Sequence, residues 1–176
     1  MKSVLILAAG DRPPNESLRG IPEPLSELSI LTTDIRPLPK IDKVVDLNSP
    51  FEAWGLPEGS FDYIVAEHIA EHLNDRIAFL RGCRQLLKDD GTLILEVPNY
   101  KHIGAVGDLE HRWFFCRQSF YYRSNALNGQ FLQAERIEYQ FLFMQQRIMI
   151  KWELLGRWLD RTTHMVAGLR FYLKKG

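Results

Sequence analysis

The sequence predicts an α/β fold: a doubly wound, mostly parallel sheet with an antiparallel hairpin at its C-terminal edge. Three observations carry this. Short, nearly continuous Val/Ile/Leu runs recur at 3–9 (SVLILAA), 29–34 (SILTTD), 43–47 (KVVDL), 62–66 (DYIVA) and 91–97 (GTLILEV), as in strands covered on both faces. Between the last two, Phe79, Leu80, Cys83, Leu86 and Leu87 share one helical face, with Arg76, Arg81, Arg84 and Lys88 elsewhere. Further on, 131–143 and 146–154 alternate (Ile137, Tyr139, Phe141, then RIMIKW), which is the period of a hairpin.

The elements follow in order. SVLILAA runs into a turn at Gly10, Asp11 and Arg12. Prolines 13, 14, 22 and 24 then limit the first crossover to short helical pieces, expected at 15–19 and 24–28. The helix over 75–88 is expected to open at Asn74 as N-cap and stop at Asp89, Asp90 and Gly91. With its flanking strands it makes a right-handed βαβ unit. Residues 117–128 read as a helix. So do 153–173, where Trp152, Leu155, Trp158, Leu159, Met165, Leu169 and Phe171 lie among Arg157, Arg161, Arg170, Lys174 and Lys175. The expected organisation is one domain over 1–152 and a basic amphipathic helix over 153–176, packed on that domain or on a partner.

Length and charge exclude several classes. A chain of 176 residues suits one domain with a real core. No apolar run approaches the roughly 18 residues that span a bilayer, and the apolar core of MKSVLILAAG is too short for a signal peptide. Residues 1–146 carry 15 basic and 20 acidic side chains, and 147–176 carry 7 and 2, so −5 against +5. The body is not built to embrace a nucleic acid. The basic, tryptophan-bearing tail suits an anionic membrane surface or a second copy of the chain as a homodimer. Cys83 and Cys116 stand far apart, which implies a reducing compartment and a cytoplasmic location.

The motifs LILAAGDRP, TTDI, VVDLN, LPEGSFDYIVAEHIAEHL, RQLLKDDGTLILEVPN and EHRWFF occur in that order. In order and spacing the sequence resembles class I S-adenosylmethionine-dependent methyltransferases, in particular their short, type 11-like branch. The resemblance covers two thirds of the chain and implies a Rossmann-like sheet and S-adenosylmethionine as cofactor. It places Ala8, Ala9 and Gly10 at the cofactor loop, where the family has a richer glycine turn. It places Asp34 and Ile35 at the ribose, since an acid at this point takes ribose hydroxyls. Asp46 and Leu47 fall beside the adenine, and Ala66 and Glu67 line the pocket. If Ala8 needs a positive φ, alanine costs about 1 kcal/mol there.

A sulfonium methyl is already activated, so the protein need supply position, desolvation and, for a hydroxyl acceptor, a base. Histidine suits that role. His68 is the first candidate and His111 the second, with Arg112 beside it to orient an acceptor. Trp113, Phe114 and Phe115 read as packing. His68 and His72 are four apart, but the order of histidine and glutamate is wrong for a zinc motif and no third ligand is evident, so no metal is expected. The absence of G-x-G-x-x-G argues against a nicotinamide enzyme. The expected activity is methyl transfer to a small molecule or glycan. The alternative is an inactive relative, kept as a binding or partner protein, which Ala8 and the proline-broken crossover favour.

Overall fold

The computed structural model describes residues 1–120, 133–143, 146–150, 153–162 and 166–175. Eight strands form one sheet: β1 (Lys2–Leu7), β2 (Leu28–Asp34), β3 (Lys43–Val44), β4 (Phe61–Glu67), β5 (Leu87–Pro98), β6 (Gln133–Phe143), β7 (Gln146–Ile150) and β8 (Val166–Lys174). Their order is β3-β2-β1-β4-β5-β8-β6-β7. Strands β1 to β5 are parallel, and β8 runs antiparallel to both β5 and β6. The expected parallel sheet and antiparallel edge hairpin are both present, with Tyr139 opposite Ile150 in the hairpin.

The helices are α1 (Pro14–Ser17), α2 (Phe51–Trp54), α3 (Arg76–Leu86), α4 (Ile103–Val106) and α5 (Glu153–Thr162), with 3-10 turns at Leu25–Glu27 and Arg117–Phe120. Helix α3 buries Phe79, Leu80, Cys83 and Leu86 in the larger core, which includes Leu5, Ile64, Leu93, Leu95 and Trp54. Gly82 is needed there, because a Cβ would stand 2.7 Å from the Trp54 ring. The opposite sheet face carries a smaller core of Val4, Ile6, Val65, Ile94 and Tyr172, covered by Leu18 and Ile21 of the crossover.

Four expectations are corrected. Asp75, not Asn74, caps α3, accepting from the N–H groups of Ile77 and Ala78. The helix passes directly into β5 at Leu87, so Asp89 to Gly91 lie within a strand rather than at a helix stop. Only Arg117–Phe120 of the helix expected over 117–128 is seen, as a 3-10 turn, and the rest lies outside the described residues. The helix expected over 153–173 ends at Thr162, and Val166–Lys174 is β8, inserted between β5 and β6. The reason is the alternation of Leu169, Phe171 and Leu173 with Arg170, Tyr172 and Lys174, a period of two. Among the described residues, no helix is long and apolar enough to cross a membrane.

Candidate functional site

Strands β1 and β4 are neighbours, but β1 leads to β2 on one side and β4 to β5 on the other. Such a reversal opens a crevice at the carboxyl ends of the strands. The backbone is strained on both sides of it. Ala8 has φ 51° and His68 has φ 53°, both left-handed, and Gly10 has φ 63°. A non-glycine residue held there costs on the order of 1 kcal/mol, and such strain persists only where the surroundings enforce it. The enforcing group at the loop is Asp34. Its Oδ2 accepts the Gly10 N–H at 2.9 Å, and its Oδ1 accepts the Arg36 N–H at 2.9 Å and Nε at 3.2 Å. Burial would raise this carboxyl, but the Arg36 and Gly10 donors hold it below its ordinary value.

A Cβ built on Gly10 would meet only Arg36 Nη2, at 3.9 Å, so the space over the loop is open. Ile35 is exposed beside it. Asp46 is exposed, and its Oδ1 accepts the Asn48 N–H at 2.9 Å, which closes the turn after β3. Leu47 packs partly on the larger core. Two expected lining residues turn their side chains away. Ala9 is buried in the smaller core and its N–H donates to the Thr33 carbonyl, and Ala66 is buried in the larger core.

An ionic row crosses the sheet from this crevice. Glu67, Glu96 and Arg170 are in register on β4, β5 and β8. Arg170 donates to Glu67 Oε1 at 2.9 Å, to Glu96 Oε2 at 2.7 Å through Nε, and to the Arg19 carbonyl. Arg12, from the loop after β1, reaches Glu67 Oε2 at 3.0 Å. Gln140 donates to Glu96. His68 lies between two acids, with Nε2 3.2 Å from Glu96 and Nδ1 3.5 Å from Glu71. Burial opposes its charge, but the two carboxylates outweigh it and take its pKa to about 9. Burial likewise opposes ionised Glu96, but His68 and Arg170 hold it at about 2. Glu67 is raised, by burial first and then by the Glu96 charge. Both His68 nitrogens face carboxylates, an arrangement that favours its charged form and weighs against the expected use of His68 as a base.

A second cluster forms where the loop after β5 returns to the loop after β4. Arg112 and Trp113 both donate backbone N–H groups to the Glu71 carbonyl, at 2.8 and 3.2 Å. The Trp113 indole donates to the Leu73 carbonyl at 2.6 Å, and the Arg76 guanidinium lies 3.9 Å over the Trp113 ring. This clamp sets the His111 ring edge-on to His72, with centroids 4.7 Å apart. His111 Nδ1 is 2.8 Å from the Ala105 carbonyl. An open cleft of about 490 Å³ adjoins, lined by His72, Leu109, Glu110 and Arg112. Residues 68–74 are turns rather than helix, so His68 and His72 do not share a helical face, and His72 meets His111 instead. Of the expected packing residues, Phe115 is buried and Phe114 is exposed.

Sequence reasoning missed Arg12, Arg36, Glu96 and Arg170. Glu96 carried a signal, a lone charge inside the apolar run LILEV of a central strand. Arg170 carried one in the alternation of GLRFYLK.

The fold has relatives. A family profile described as a methyltransferase domain matches residues 19–150. The chain belongs to the methyltransferase-domain family. A SAM-dependent methyltransferase from Archaeoglobus fulgidus superimposes over 99% of this chain and 86% of its own, with TM-score 0.66 and 18% identity. Haemonchus contortus phosphoethanolamine N-methyltransferase 2, solved with S-adenosyl-L-methionine, superimposes over 99% of this chain and 48% of its own, with TM-score 0.61 and 12% identity. At these identities the likeness is one of fold. The polyketide synthase ThaQ of Burkholderia thailandensis is 35% identical over 78 residues, which is 42% of this methyltransferase-domain chain and 4% of that protein. The chain thus spans a small part of that relative's length.

Proposed function

We propose that the chain is an S-adenosylmethionine-dependent methyltransferase acting on a small molecule or glycan. The observation that carries this is the left-handed Ala8–Gly10 turn, locked onto Asp34 through the Gly10 N–H at the strand-order reversal. The residues present fit the cofactor. Gly10 offers bare backbone under open space and Ala8 adds only a methyl group, so a nucleoside could approach closely. Asp34 has an accepting site left on Oδ2 for a ribose hydroxyl, exposed Ile35 can lie against the adenine, and Asp46 and Leu47 close its far side. Glu67 faces the methionine end. The cofactor supplies a methyl group on a sulfonium, already activated toward displacement.

The chain's own task is then to orient the acceptor and hold its proton. The cleft beside His72, Glu110 and Arg112 is polar and of the size of a small ligand or one sugar unit. His111 is the proton acceptor on this side in our reading, since the Ala105 carbonyl can only accept and so fixes the proton on Nδ1, leaving the Nε2 lone pair. His68, charged between Glu71 and Glu96, positions the loop. The free cysteines suit a cytoplasmic location. Exposed Leu154 and Trp158 on α5 are the surface for the membrane or second-copy contact that the basic tail suggests.

A second reading has its own observation. Arg36 covers Asp34 and Arg12 covers Glu67, so the acids of the crevice are already paired, as in a domain that has lost its ligand. Calorimetric titration with S-adenosylmethionine and S-adenosylhomocysteine decides between the two. Micromolar binding, weakened at least about tenfold by Asp34→Ala, is the expected result, because that variant loses hydrogen bonds to a charged group. No binding at millimolar ligand would leave the second reading standing.

A further inference from the structure

We propose that Glu71, His72 and His111 form a binding site for one divalent transition-metal ion of the zinc class, facing the cleft. The inference stands apart from the cofactor reading, since none of these residues touches the Ala8–Asp34 loop pair. One ligand-capable atom from each of the three residues lies within 4.8 Å of the others. Two imidazoles and one carboxylate are a donor set that zinc takes with one position open.

Three further observations point to a cation here. Glu71 is completely buried, and among the described residues its cationic neighbour is His68, with Nδ1 3.5 Å from Oε1. His68 is shared with Glu96, so lone pairs are left on the Glu71 carboxylate that an ion can take. His111 has its Nδ1 on the Ala105 carbonyl at 2.8 Å, so the lone pair is on Nε2. A backbone carbonyl behind an imidazole is the usual outer partner of a metal-bound histidine, because it fixes the tautomer and aims the other nitrogen. Finally, that Nε2 stands 3.6 Å from Asp108 Oδ2. An imidazole nitrogen and a carboxylate oxygen face each other there, and a proton on Nε2 or a cation between them would join the pair.

The frame is rigid where a metal site needs it to be. The two N–H bonds to the Glu71 carbonyl, the Trp113 indole bond and the Arg76–Trp113 contact hold the loop bearing His111 against the loop bearing His72. His72 also lines the cleft with Leu109, Glu110 and Arg112, so water, half-exposed Asp108 or an oxygen of a bound acceptor could complete the ion's coordination from that side. The proton-acceptor role given to His111 above belongs to the metal-free chain; with the ion bound, Nε2 is a ligand.

The test uses the full chain, stripped with a chelator and titrated at pH 7.5 with zinc against a chromophoric chelator, and with cobalt followed by its visible bands. One equivalent bound, with affinity at least about tenfold weaker in His72→Gln and in His111→Gln and unchanged in His102→Gln, is the expected result. Binding well below one equivalent, or the same affinity in all three variants, overturns the proposal. Should a variant fail to fold, imidazole NMR of the unaltered chain replaces it. Zinc must then shift the His72 and His111 signals and leave His102 in place, and the reverse pattern overturns the proposal. Neither readout involves S-adenosylmethionine, so failure of the cofactor reading leaves this result interpretable.

Discussion

The crevice beside β1 and β4 and the cleft beside the loop after β5 lie at the same end of one sheet, yet they treat buried charge differently. In the crevice the buried acids have cations: Asp34 has Arg36, Glu67 has Arg12 and Arg170, and Glu96 has Arg170 and His68. Beside the cleft, Glu71 shares the single cation His68 with Glu96, and its other neighbours, His72 and His111, bring ligand atoms. The first region is electrostatically closed and holds its own shape. In the second, one cation serves two acids.

Arg170 gives the largest lever on that contrast. Arg170→Met leaves Glu67 and Glu96 buried without their shared cation, and urea unfolding should show a loss of about 3–5 kcal/mol. Adding Glu96→Gln to that variant should recover part of it. Glu71→Gln in metal-free protein should cost less than Arg170→Met, since His68 keeps Glu96 as a partner and no buried charge is left alone. Equal losses from Arg170→Met and Glu71→Gln would erase the distinction between the two regions.

Acid should act mainly on the crevice side. Glu96 is held near 2, below its ordinary 4.5, so its contribution is present above pH 4.5 and disappears as the pH falls through about 2. Asp62 behaves alike: burial opposes its charge, but Lys88, the Ser3 N–H and Lys2 hold it at about 2. Denaturation midpoints between pH 6 and pH 2.5 should therefore fall steeply, by on the order of 3 kcal/mol for Glu96, and Glu96→Gln should flatten the curve. An unchanged slope in that variant would assign the acid lability elsewhere.

Smaller effects separate backbone strain from surface charge. Ala8→Gly relieves the left-handed alanine and should raise stability by about 1 kcal/mol in thermal or urea melts, with cofactor affinity at least retained. A loss would mean that the methyl group packs. Arg12→Ala should change stability by no more than about 0.5 kcal/mol. Arg12 makes the same kind of bond to Glu67 as Arg170, but its side chain is 43% exposed against 3%. If the two arginines prove equal, burial is not what distinguishes them.

The motifs of the crevice could be read locally. The strand runs, the turn at Gly10 and the acid that ends β2 each depend on a few adjacent residues; that Asp34 bonds the Gly10 N–H is not among the expectations. The cleft could not be read in this way. His72 and His111 lie on separate loops, and their meeting depends on backbone bonds from Arg112 and Trp113 to Glu71. The tail was misread for a related reason. Apolar residues from Trp152 to Phe171 satisfy a helical stripe loosely, and only the open place between β5 and β6 selects the two-residue period of GLRFYLK.

The amino-acid sequence by itself determined the parallel strands, the buried face of α3 and the turn at Gly10, because continuous apolar runs, a 3.6-residue period and a glycine turn are short-range properties. The tertiary structure alone decided that Arg170 is an interior cation and that Glu71, His72 and His111 converge. Arg170 bonds partners 74 and 103 residues away, and charges pair across strands by proximity in space, which no local pattern encodes.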